Sequence, residues 1–219
     1  MFQVRLVYRA AIAICSLAVA GPTLATVEPG EPADPITAIW KIQRVEFNYR
    51  SSSTYYSCEG LRHKITAIMN AVGARQSVNV DIRCAPGGLT NNTLLLITLA
   101  TPVEATPENV TAATSFSTET QLAARLKKVQ LPTANDIDRF PAEWRTVQLN
   151  RNQRLNLEAG DCELLDGLIR QVFPNVSVRV VKQRLNCSHG SGSRLRPVLH
   201  VAALVRVPVV PMAYAPVAD

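Results

Sequence analysis

Apolar positions along this 219-residue chain recur in two rhythms, and the two follow each other in the same order in two places. The first begins at Ala38–Arg50, where Val45, Phe47 and Tyr49 alternate as in a half-buried strand. Ser57 then stands where a helix needs a cap. Leu61, Ile65, Ile68, Met69 and Val72 lie on one helical face, and Gly73 ends the pattern. Alternation returns at Val78, Val80 and Ile82. A glycine loop, Pro86-Gly87-Gly88, leads into a long apolar run from Thr93 to Val103, with its strand at 94–100. The second passage opens with a strand at Trp144–Asn150. Asp161 is placed to cap a helix that carries Leu164, Leu165, Leu168, Ile169 and Val172, and Pro174 stops it. Val176, Val178 and Val180 alternate. The loop His189-Gly190-Ser191-Gly192 then leads into the apolar run Pro197–Val209.

Each passage reads β-α-β-β. Val45-Glu46-Phe47-Asn48 and Val147-Gln148-Leu149-Asn150 open them with the same Val-x-apolar-Asn pattern, and each helix begins Cys-Glu. We read a duplication, with unit A over 38–103 and unit B over 144–209. The expected fold is α+β: two tandem β-α-β-β repeats forming a pseudo-twofold pair. A unit of about 66 residues is small for its own core, so the strands are expected to merge mostly into one six-stranded sheet, with helices on one face. Residues 104–143 form a connector with one helix, Thr118–Val129, and a loop over Thr133–Pro141, packed on the sheet or acting as a lid. Residues 26–37 read as an extended Pro-rich lead-in. The end of the chain, from Val205 on, reads as an edge strand followed by an extended tail over 210–219 that could dock on a partner sheet.

Cysteine spacing sharpens this picture. Cys58 and Cys84 lie 26 residues apart; Cys162 and Cys187 lie 25 apart. In each unit the first Cys opens the helix and the second closes the following strand. A helix of about 14 residues and a strand of about seven both span a little over ~20 Å, so the two Cys return to the same end. The expected bridges are Cys58–Cys84 and Cys162–Cys187, one staple per repeat. No C-x-x-C occurs, and neither a metal nor a cofactor is expected.

Residues 1–25 read as a secretory signal peptide. Arg5 and Arg9 precede the apolar stretch Ala10–Ala20, and Thr23-Leu24-Ala25 is a small-x-small cleavage site. Cys15 would leave with it. The expected location is periplasmic or secreted, with no transmembrane segment in the mature chain. Lys and Arg number 23 and Asp and Glu 17 over the whole sequence. Without residues 1–25 the balance becomes 21 to 17, a modest net +4. An apolar share of 47 % excludes a disordered chain, and no aromatic interleaving of the basic residues suggests nucleic acid as a partner.

No residue set forms a catalytic constellation. Ser191 lacks a nucleophile-elbow context. His63, His189 and His200 are scattered. The acids Asp161, Glu163 and Asp166 complement a helix N-terminus. Two binding candidates remain. Arg179, Lys182, Arg184, Arg194 and Arg196 form a basic stretch with no acid between Asp166 and Asp219. The segment Tyr49–Tyr56, with Tyr49, Tyr55, Tyr56 and four intervening Ser/Thr, suits adaptable contacts. The sequence therefore reads as an exported, disulfide-stabilised, non-enzymatic protein. It would bind an envelope partner or an anionic surface, or aid assembly there. The alternative is a hydrolase, or a carrier of a small ligand or anionic glycan, with its site in the groove between the repeats. Asn91, Asn109, Asn175 and Asn186 head Asn-x-Ser/Thr sequons, which matter only in a eukaryotic secretory pathway.

Overall fold

The computed structural model describes residues 34–84, 87–187 and 196–208. The elements follow in chain order. Strand β1 (Ile36–Arg50) is followed by the short β2 (Tyr56–Ser57), helix α1 (Cys58–Ala71), β3 (Asn79–Ile82), β4 (Leu89–Thr90) and β5 (Asn92–Glu104). Helices α2 (Pro107–Thr114) and α3 (Thr118–Leu126) lead to β6 (Arg139–Gln148), α4 (Cys162–Gln171), β7 (Val178–Arg184) and β8 (Val198–Arg206). Short 3₁₀ turns occupy 149–151, 153–155 and 159–161 before α4, and 173–175 after it.

Local chemistry sets these boundaries. The Ser57 hydroxyl accepts from the Gly60 amide at 3.0 Å and caps α1. Gly73 follows α1 with φ +91°, and a Cβ there would lie 2.8 Å from the Leu204 carbonyl oxygen. Only glycine combines that backbone with so close an approach. Thr106 and Ser117 cap α2 and α3 in the same manner as Ser57.

Several expected boundaries move. The connector holds two helices, because Thr106-Pro107 supplies a cap and an N1 proline that the apolar pattern alone does not reveal. Its end is not all loop: β6 begins at Arg139, where Phe140 and Ala142 are buried. Asp161 stands at the N-cap of α4, but its side chain makes no capping bond there. Its carboxylate is drawn instead into a buried network with Tyr56 and Lys64. Val205 and Arg206 belong to β8, an interior strand rather than an edge. Beyond 208, the expected docking tail lies outside the described residues, as do the expected signal peptide over 1–25 and most of the expected lead-in over 26–37.

The main sheet has six strands in the order β3-β5-β1-β6-β8-β7, every adjacent pair antiparallel; β2 and β4 form a separate two-stranded ladder. Strand β1 pairs with β5 from Ala38↔Glu104 to Arg50↔Asn92. It meets β6 only over Ile36–Ile39, so its remaining edge has no strand partner. Gln171 of α4 clips that edge, accepting from the Asn48 amide at 2.9 Å and donating to the Asn48 carbonyl at 3.1 Å. The helix comes this close because Gly167 lets the Phe47 ring in; a Cβ there would lie 3.0 Å from it.

One large core unites the two halves. Val45, Phe47, Leu95 and Ile97 from the first pack with Leu199, Val201 and Ala203 from the second, and α1 and α4 cover that sheet face. Along the same face, Val110 of α2 covers Ile39 and Val103. Helix α3 buries none of its side chains. The opposite sheet face carries a small cluster of Ala38, Phe140, Ala142 and Leu204 with Trp40 and Trp144 against it. Disulfides join Cys58 to Cys84 and Cys162 to Cys187, with Cα separations of 6.3 and 5.4 Å. Such staples belong to chains that mature in oxidising surroundings. Among the described residues, no helix is long and apolar enough to cross a membrane.

Candidate functional site

The basic stretch forms strand β7, an edge of the main sheet. Strict alternation would set Arg179 on one face and Lys182 and Arg184 on the other. A bulge between Val180 and Lys182 changes this. It inserts Val181, which is 59 % exposed, and resets the register. Arg179, Lys182 and Arg184 then stand opposite Ala202, His200 and Val198, all three on the face away from α1 and α4. Residues 179–184 are all exposed. Arg196, just before β8, is exposed as well. Arg194 lies outside the described residues.

Aromatic rings extend this basic face inward. The Arg179 guanidinium lies 4.5 Å from the centre of the Trp144 ring. Arg206 sits 5.1 Å over Phe140, and Arg75 sits 5.9 Å over Trp40. Trp40 and Phe140 stack at 4.8 Å. Sequence reasoning missed Arg75 and Arg206 because they are distant in the chain from β7. The aromatic residues were also missed, since pairing of β1 with β6 is needed to bring them together.

The Tyr/Ser segment is turned mostly inward. Tyr49 is buried, and its hydroxyl donates to the Thr54 carbonyl at 3.2 Å. Burial pushes its phenol up to about 12. Tyr56 donates to the Asp161 carboxylate, and burial first, then that bond, raises its phenol strongly. Asp161 is itself buried. It receives the Lys64 ammonium at 2.7 and 2.8 Å and the Glu158 amide at 2.7 Å, so its charge is paired and its oxygens are bonded. Ser51, Ser52 and Ser53 all donate hydroxyls to Glu163. Burial pushes the Glu163 carboxyl up, but hydrogen bonds from Ser51, Ser52 and nearby amides outweigh it and hold the group at about 2. This segment thus clasps the first half to the start of α4. Tyr55, 60 % exposed, is the tyrosine of the three with surface to offer.

A cleft of about 470 Å³ opens between the halves. Lys41, Gln43 and Asn109 line one side; Trp144, Asn175 and Arg179 line the other. The inward positions of β1 run Ile39, Lys41, Gln43, Val45, Phe47. Two polar residues interrupt an otherwise apolar stripe, and the buried Thr101 stands opposite Lys41. That interruption is visible in the sequence, but it becomes informative only once the buried face is known.

Two of the three histidines are among the described residues. His63 meets Glu59 at 2.8 Å on the exposed side of α1, and His200 lies on β8. His189 and Ser191 lie outside the described residues. Among the described residues, no group of three or more His, Cys, Asp or Glu is placed to hold a metal ion. No protein-family model matches the chain, and comparison with curated proteins and with solved structures finds no match either.

Proposed function

We propose that this is an exported binding protein without a catalytic site, which docks an acidic partner protein along β7 on the face away from α1 and α4. The carrying observation is the alignment of Arg179, Lys182 and Arg184 on one exposed face by the β7 bulge. None of the three forms an ion pair with a described residue. Charges so arranged steer an acidic partner and set its orientation. Lysine and a bulge on an edge strand also oppose pairing with a second copy, which would bring like charges together. A signal peptide over 1–25 and a periplasmic or secreted location belong to this reading, supported by the two staples.

A duplication belongs to it too. The order β1, α1, β3, β5 matches β6, α4, β7, β8, and in those terms the strand order is the same from either edge of the sheet.

The test is retention by an immobilised poly-glutamate peptide as ionic strength rises. The wild-type chain should bind at low salt and elute as salt screens the contact. Lys182→Glu/Arg184→Glu should abolish retention without lowering the melting temperature, since both side chains are exposed. Equal retention of the variant would refute the reading. Retention by anionic lipid vesicles but not by the peptide would replace the protein partner with a membrane surface.

A further inference from the structure

We propose that the cleft between the halves binds a small polyhydroxylated carboxylate, a sugar acid of the uronate class. This site goes beyond the β7 face and rests on Lys41, Gln43, Asn109 and Asn175; Arg179 borders both. Its first support is the break in the core stripe. Lys41 and Gln43 occupy inward positions of β1, between Ile39 and Val45, where a packing role alone would favour apolar side chains. Thr101, almost fully buried, sits across from Lys41 on β5.

Its second support is how the cleft amides are held. Gln43 donates through Nε2 to the Thr101 hydroxyl at 3.1 Å. Asn109 donates through Nδ2 to the Glu104 carbonyl at 2.9 Å. Asn175 donates through Nδ2 to the Gln171 carbonyl at 2.8 Å. In all three the nitrogen is tethered, and the amide oxygen accepts no hydrogen bond from a described residue. Three fixed acceptors suit the hydroxyl donors of a polyol.

Charge supplies the third support. The Lys41 ammonium has no ion-pair partner among the described residues, and Arg179 stands on the opposite wall. The Lys41 ammonium can meet a carboxylate.

The test is an NMR titration of the oxidised chain with glucuronate, using glucose and acetate as controls. Glucuronate should shift the backbone amides of Lys41, Gln43, Asn109 and Ser177 saturably. Lys41→Met should weaken it by about tenfold. Lys182→Glu should leave it unchanged, so a failure here is distinct from a failure at β7. No saturable shift by about 10 mM glucuronate would overturn the proposal. Equal shifts with acetate would reduce the site to an anion pocket and overturn it as well. A second measurement needs no ligand. Lys41→Met/Gln43→Leu/Thr101→Val replaces the polar trio by apolar groups of similar size. If the trio serves a ligand, the melting temperature of this variant stays level or rises. A fall would show that the trio supports the fold, and would overturn the proposal.

Discussion

Glu163 shows how single residues settle the relation between the halves. Its place at the start of α4 suggests a carboxylate answering a helix dipole. In the fold it also gathers the hydroxyls of Ser51, Ser52 and Ser53 from the other half of the chain. The carboxyl is held at about 2 against an ordinary 4.5. A group whose pKa falls on folding stabilises the fold fully above its unfolded value, and that contribution declines as the pH drops toward the folded one. The urea midpoint should therefore fall between about pH 4.5 and about pH 2. Glu163→Gln should flatten that part of the profile, which a series of denaturation curves would show. Composition marked the Tyr/Ser segment as suited to hydrogen bonding. It could not say whether the acceptors lay in a partner or, as here, on Asp161 and Glu163 more than a hundred residues away.

At the scale of elements, periodicity was a good guide where one face is buried and a poor one elsewhere. The α1 and α4 faces were legible because Leu61, Ile65 and Ile68, and Leu164, Leu165 and Leu168, repeat at helical spacing and are all buried. Both Cys pairs followed from matching helix and strand lengths, a purely geometric argument. The β7 face was not legible, because a bulge shifts side-chain phase without changing composition. Helix α2 was missed because only Val110 among its residues is buried, too little for a pattern to form. Each staple closes a loop of about 26 residues, so Cys58→Ala/Cys84→Ala should cost roughly 3.5 kcal/mol in the chain-entropy view. Guanidinium denaturation of the oxidised variant and wild type gives that difference. A change below about 1 kcal/mol would mean the denatured chain is already compact there.

For the whole molecule, the shared core makes the two halves dependent on each other. Phe47 packs against Gly167, Gln171 holds Asn48, and Leu95 and Leu199 belong to one cluster. Sequence reasoning reached the merged six-stranded sheet from the small size of each unit, but not the short β1–β6 junction or the clasp across it. A fragment of residues 38–103 should lack a cooperative transition even with Cys58–Cys84 closed, whereas the complete chain should unfold in a single step. Circular dichroism on both would decide; a fragment melting sharply on its own would contradict the shared core. The pairing of neighbouring cysteines has a further consequence, in how the molecule is made. The four bridged cysteines could pair in three ways, and two of those are traps. Synthesis runs from the N-terminus at about 5–20 residues per second, so Cys84 reaches its partner several seconds before Cys162 exists. A chain oxidised in the order of its appearance therefore closes Cys58–Cys84 first and leaves Cys162 and Cys187 only each other. In such a chain biosynthetic timing selects the native bridges, and an isomerase has little to correct.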